Sequence, residues 1–215
     1  MAVPMKSEFG PTLGQILAPR WHAAPRSLRA GVVGLGVAVL LVAAIIVLTL
    51  LPASYSHGGS VPFHFKYKDL RRVAPEPGGY VRLESRSGDG ALKYSFSVEQ
   101  LRLAPYVGSV TGALPVYATG YIHGLSERLV GFELVSEGKA RVNGVPGYQI
   151  FYTAKVEGRE MYGRNVLLVP PRPGARNGVA IAMLTSPTAS SEVLSPSEVA
   201  SGGVLLRPLK TFTFG

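Results

Sequence analysis

The chain has 215 residues and a net charge of +9, with 22 Lys and Arg against 13 Asp and Glu, and it contains no cysteine. That composition removes disulfides, thiolate metal sites, cysteine nucleophiles and a lipidated-cysteine anchor. Charged residues make up only 16% of the chain, while Gly (26) and Pro (17) are frequent, which points to an apolar segment joined to a turn-rich β-containing domain.

Residues 1–29, with Pro4, Pro11, Pro19 and Pro25, lack sustained periodicity and read as a flexible basic tail; Trp21 lies close enough to the next segment to rest at headgroup level. From Gly31 to Leu51 run 21 uncharged residues, GVVGLGVAVLLVAAIIVLTLL, fourteen of them Leu, Ile or Val. As a helix this run is about 32 Å long, against a hydrocarbon core of about 30 Å. Its branched residues together favour insertion by about 4–8 kcal/mol. A helix buried in a soluble core would keep a polar stripe, and here only Thr49 interrupts the run. A cleaved signal sequence would be shorter and end in a small-residue site, whereas the exit LLPASYS offers only Leu51-x-Ala53. Residues 30–51 are therefore expected to remain as a single transmembrane helix in contact with the lipid bilayer.

Arg20, Arg26 and Arg29 precede the run and no Lys or Arg follows until Lys66, which places the N-terminus in the cytoplasm and the C-terminal part outside it. Gly31, Gly34 and Gly36 superficially suggest a nucleotide loop but follow no strand. Ala30, Gly34 and Ala38 fall at small-xxx-small spacing, which would let two spans approach as a weak homodimer.

Residues 52–62, PASYSHGGSVP, read as a linker, and 63–215 as an extracytoplasmic α+β domain. Phe63, Phe65 and Tyr67 alternate on one side of a first strand. Leu92, Tyr94, Phe96 and Val98 do the same after the turn signal SGDG at 87–90. The period then changes to 3.6, with Ala118, Ile122, Leu125 and Leu129 in one stripe, Pro115 in a first turn and Gly131 as a stop. Strand character returns over FELVSEGKARVNG, closed by the hairpin pair Asn143-Gly144. The hairpin over 147–171 follows, with a corner at Gly158-Arg159, and then the unbroken apolar run VAIAMLTSP at 179–187, expected as a central strand buried on both faces. Ser195-Pro-Ser-Glu198 forms a capping box opening a last helix, lined by Val199, Leu205 and Leu206 and ended by Pro208. TFTFG closes the chain with Phe212 and Phe214 on one side. This order predicts helices packed on an antiparallel sheet.

The stretch GFELVSEGKARVNGVPGYQIFYTAKVEGREMYGRNVLLVP, followed by GVAIAMLTSP and VASGGVLLRPLKTFTF, resembles the PsbP/Mog-like α/β/α-sandwich superfamily, which includes photosystem PsbP-type subunits, Ran-binding Mog proteins and LpqN-type lipoproteins. The resemblance is carried by Gly144, Gly147 and Tyr148 at the strand entry, the repeated Tyr–Arg strands and the Phe-x-Phe end, over about residues 110–215 and more loosely 63–105. It implies a non-enzymatic binding or assembly module with an unknown protein or envelope partner. A membrane span would replace the lipidated cysteine of the lipoprotein members.

The chemistry-bearing residues fit that implication. No G-x-S-x-G occurs, the only aspartates are Asp69 and Asp89, and His57, His64 and His123 lack a nucleophile and acid at triad spacing; His123 beside Ser126 and Glu127 reads as a helix-surface histidine. H-E-x-x-H is missing, and His57 and His64 lie in or beside the expected linker, so no catalytic residue, metal site or cofactor is expected and the ligand-binding residues stay unassigned. Eleven glutamates leave room for a dispersed polar enzyme site, although Glu157 and Glu160 flank a turn and should face water. Arg82, Arg86, Lys93, Arg102, Arg141, Lys155, Arg159 and Arg164, interleaved with tyrosines, leave open a basic tether to anionic envelope polymer or lipid; the outward orientation disfavours nucleic acid.

Overall fold

The structure, a computed structural model, describes residues 25–172, 174–188 and 193–215. The expected tail lies outside the described residues up to position 24, Trp21 included. The chain divides into two compact units, the first ending at Leu51 and the second covering Pro52–Gly215.

In the first unit, helix α1 covers Arg26–Leu50, so the uncharged run is helical up to its last residue. Val33, Leu35, Val39 and Leu40 are exposed. Part of the run's side chains fall outside the described residues, and among the described residues no helix is long and apolar enough to cross a membrane. The transmembrane expectation for 30–51 is therefore unsupported on this point.

Among its described residues the second unit holds ten strands: β1 (Ala53–His57), β2 (Phe63–Tyr67), β3 (Arg71–Val73), β4 (Gly79–Arg86), β5 (Leu92–Arg102), β6 (Val130–Val142), β7 (Val145–Val156), β8 (Arg159–Leu168), β9 (Asn177–Thr185) and β10 (Thr213–Phe214). Helix α2 (Val110–Arg128) lies between β5 and β6. A 3₁₀ turn at Pro196–Glu198 and helix α3 (Gly203–Lys210) lie between β9 and β10. Seven strands form one sheet in the order β3-β4-β5-β9-β8-β7-β6, with every neighbouring pair antiparallel. Its centre is β9, whose run of β-branched and small apolar residues is buried on both faces as its composition requires.

Both faces of this sheet are covered, which makes two cores from one period-two pattern. On one face Phe96, Val98, Val166, Ile181 and Met183 pack with Leu205 and Leu209 of α3 and with Phe63, Phe65 and Phe212. On the other, Ile150, Tyr152, Ala154, Leu167 and Ala180 pack under Leu114, Ala118 and Leu125 of α2. The result is an α+β sandwich with helices on opposite faces of an antiparallel sheet.

Several boundaries differ from the sequence reading. The segment 52–62 is no linker: β1 pairs along its whole length with β2, and Val61 is buried in the core. Strand β2 does not join the large sheet but forms a small one in the order β1-β2-β10, because its Phe63 and Phe65 are used against Phe212 and the α3 face. Helix α2 starts about a turn early, at Val110, and Pro115 sits inside it. The apolar stripe begins at Leu114, whose burial outweighs the amide that the proline cannot donate. The last helix is split. The Glu198 carboxylate accepts from the backbone N–H of Leu194 and Ser195, capping only the 3₁₀ turn, and α3 begins afresh at Gly203 and runs through Pro208.

Two tight turns set the hairpin registers. Asn143 and Gly144 both take positive φ, and so do Glu157 and Gly158, which moves the second corner one residue before the expected Gly158-Arg159. The Asn143 amide also donates to the carbonyls of Lys210 and Phe212, each at 2.7 Å, fastening the β6–β7 hairpin to the end of α3.

Candidate functional site

The two faces of α2 have different tasks. Its inner stripe seals the core. Its outer face carries Gly112, Val116, Gly120, Gly124 and Arg128 in one row, beside Ala113, Tyr117 and Tyr121 in the next. Gly120 and Gly124 have open space where a Cβ would stand. The loop after β5, from Leu103 to Val107, forms the opposite wall, held by Tyr106, whose hydroxyl donates to the Ala175 carbonyl at 2.9 Å. Between them lies a largely apolar trench of about 840 Å³. Val107 and Val116 stand fully and 78% exposed respectively at its rim, so apolar surface is left uncovered here.

Beneath α2 a second cavity, about 280 Å³, opens between the helix and the β4, β5, β9 and β8 part of the sheet; Tyr121 and Arg128 line both spaces. This inner cavity is polar. Asn165 of β8 is 1% exposed at an inward position between Gly163 and Leu167, and it is tied on both sides. The Tyr152 hydroxyl donates to its Oδ1 at 3.1 Å, and its Nδ2 donates to the Tyr121 hydroxyl at 2.8 Å. Tyr152 reaches this place by lying across its cross-strand partner Gly163, where a Cβ would stand 2.3 Å from the ring. Only glycine permits that approach.

Glu99 of β5 shares the cavity. Burial raises its carboxyl above the ordinary value, against the opposing pull of Arg128 and of Ser97, whose hydroxyl donates to it at 3.3 Å. Burial likewise pushes the Tyr121 and Tyr152 hydroxyls up, so both are protonated donors throughout the physiological range. Ser95, 5% exposed, lines the same cavity.

The residues weighed in the sequence are placed elsewhere. His57 lies against Tyr80 and Phe63 in β1, His64 meets Thr213, and His123 pairs with Glu127 at 3.2 Å on the exposed side of α2. None of the three adjoins another histidine, and among the described residues no group of three or more potential ligands could hold a metal ion. Ser126 donates to the His123 carbonyl, which gives it no nucleophile role with that ring.

The basic residues do not act as one face. Arg82 pairs with Glu76 and Glu84, Arg86 with Glu84 and Glu157, and Arg159 with Asp89. Arg164 is turned inward to Gln149 and the Val199 carbonyl. Glu157 is accordingly an ion-pair partner as well as a turn residue, held below the usual carboxylate range by Arg86. Tyr117, Tyr121, Asn165 and Glu99 do not stand out in the sequence as site residues. The signals that point to them are a tyrosine pair at i, i+4 beside glycines, and an asparagine interrupting the inward side of an otherwise apolar strand.

The chain matches no protein-family model and no curated protein. Solved structures do match. LpqN of Mycobacterium tuberculosis, described as involved in cell envelope biogenesis, is 12% identical, with 76% of this chain and 91% of that chain covered and a TM-score of 0.50. The fold is like that of LpqN. Cyanobacterial PsbP from Synechocystis sp. PCC 6803 is 16% identical over 76% of this chain and 92% of its own, with a TM-score of 0.47. The Ran-binding protein Mog1p of Saccharomyces cerevisiae is 10% identical over 76% and 95%, with a TM-score of 0.46. At such identities the likeness concerns architecture, and a ligand must be argued from the site itself.

Proposed function

We propose that this protein is a membrane-anchored, non-enzymatic binding module, which takes its partner in the cleft over α2. Helix α1 is the anchor in this reading. It carries an uncharged run of lipid-spanning length with exposed branched side chains, and the arginines before it favour a cytoplasmic N-terminus and an extracytoplasmic domain. The observation that carries the binding reading is the trench of about 840 Å³, uncovered and apolar, backed by hydrogen-bonded polar groups held from below. Rigid aromatic and polar groups converging on an apolar concavity are what a recognition site requires. The histidines, by contrast, are each occupied in separate places.

Two measurements test this. Protease shaving of intact cells should remove the domain while sparing a tag at the N-terminus; protection of the domain would defeat the anchored orientation. A photo-cross-linking amino acid at Val116 should form a defined adduct in cells, whereas one at the exposed strand residue Glu160 should not. Equal labelling at the two positions would remove the cleft from the account.

A further inference from the structure

We infer that a basic pocket at the C-terminal end of β5, separate from the trench over α2, binds a phosphate group. The pocket, of about 350 Å³, is lined by Arg102, Arg172 and Arg176 together with Ser60 and Asn177, and no Asp or Glu lines it. Elsewhere on the domain Arg82, Arg86 and Arg159 each pair with a carboxylate. Among the described residues no carboxylate side chain pairs with Arg102, Arg172 or Arg176. Three like charges thus share one concavity, and an anion held there relieves their repulsion.

The backbone holds these charges in a fixed frame. Leu101 and Leu103 are buried in the α2 core, so the period-two alternation turns Arg102 away from it, directly opposite Asn177 of β9. The segment between β8 and β9 starts with the buried Val169 and Pro170. It is fastened further on: the Ala175 N–H donates to the Arg172 carbonyl at 3.1 Å, the Leu103 N–H to the Arg176 carbonyl at 2.8 Å and the Tyr106 hydroxyl to the Ala175 carbonyl at 2.9 Å. One Arg172 amine also donates to the Gly215 carbonyl at 3.4 Å. Each guanidinium is a planar fork of N–H donors that fits an oxoanion two oxygens at a time. A carboxylate has only two oxygens and a single charge to set against three forks, a hydroxyl and an amide. A phosphate ester brings three acceptor oxygens and about 1.5–2 negative charges, which matches that supply. The pocket holds about ten times the ~30 Å³ share of one water molecule, so there is room for the group that the phosphate esterifies. Soluble phosphate and the phosphate of a lipid headgroup present the same chemistry to these donors.

The test is a calorimetric titration of the full-length chain, held in micelles of an uncharged detergent, with inorganic phosphate at fixed ionic strength. Phosphate should bind saturably and at least about tenfold more tightly than acetate. Arg102→Gln combined with Arg176→Gln should weaken phosphate binding at least about tenfold, the loss expected of two charge-assisted hydrogen bonds. In phosphate-free buffer this double variant should melt no lower than the parent, because it removes like-charge repulsion at exposed positions. Ser60→Glu keeps all three arginines but gives them a carboxylate of the chain's own, and it should lose phosphate as well. A second titration, with monomeric dihexanoyl phosphatidylglycerol against dihexanoyl phosphatidylcholine as the background, separates the two sources. Binding tighter than that of inorganic phosphate, lost in the arginine variant, assigns the site to a lipid headgroup; binding no tighter assigns it to a soluble phosphate. Equal affinity for phosphate and acetate would overturn the phosphate class. Unchanged phosphate affinity in either variant, or no saturable binding of phosphate or phosphatidylglycerol, would overturn the site itself.

Discussion

The two faces of the seven-stranded sheet are built from the same strands and the same alternation, yet they are finished differently. The face toward α3 is closed by rings: Phe63, Phe65, Phe96 and Phe212 are all essentially without solvent contact, and their neighbouring rings pack at 5.1–6.3 Å. The face toward α2 keeps two cavities, a buried asparagine, a buried serine and a carboxyl raised by burial. Burying polar groups costs stability that apolar groups of the same shape would not. The α3 face therefore holds the domain together, while the α2 face gives up stability for a shaped, polar-backed surface.

Substitutions on the two faces should differ in size and in kind. The largest loss is expected from Phe65→Ala, at about 3–5 kcal/mol by denaturant unfolding, since a ring with 0% exposure leaves a void among other rings. If the loss were under about 1 kcal/mol, the α3 face would not be the stabilising one. Gly163→Ala comes next, at about 1–3 kcal/mol, because its Cβ collides with the Tyr152 ring. The cost should shrink in combination with Tyr152→Ala, and a double-mutant cycle without coupling would contradict the contact.

Asn165→Ala should cost about 1–3 kcal/mol by orphaning the Tyr152 hydroxyl, and should also free the Tyr121 ring to move. The Tyr121 ring resonances in NMR spectra are the sharper readout. The smallest effect concerns Glu99. Its raised carboxyl pKa means that the folded chain holds the proton longer than the unfolded one. Stability is thus complete below the ordinary carboxylate value and declines as pH rises through the folded value. Glu99→Gln should consequently melt together with the parent near about pH 4 and progressively above it toward about pH 8. The opposite order would mean that Arg128 outweighs burial.

The asymmetry between the faces is only half legible in the one-dimensional pattern. The hairpin turns at Ser87–Gly90 and Asn143-Gly144 and the central place of β9 are readable, because turn chemistry and unbroken apolar runs act over a few residues. The expected linker fails for a related reason. The residues of β1 carry no apolar alternation strong enough to announce a strand, and it is the pairing with β2 that orders them. Helix α2 is legible in kind but not at its start, since a proline inside a helix is tolerated only where burial of a neighbour such as Leu114 compensates. The site is the least legible part. Tyr121 and Asn165 lie 44 residues apart on a helix and a strand, and Glu99 lines their cavity from a second strand.

Local and periodic features needed nothing beyond the order of residues: an uncharged helical run, strands that alternate, two hairpin corners and helices between them. Short-range sterics and side-chain period are enough for these, because each depends on neighbours along the chain. Three-dimensional packing settled the remainder: which face of the sheet is sealed, that β2 leaves the large sheet, and that a tyrosine, an asparagine and a second tyrosine form one directed chain under an open trench. Those outcomes depend on strand order and on contacts between groups tens of residues apart, for which a linear pattern contains no distance.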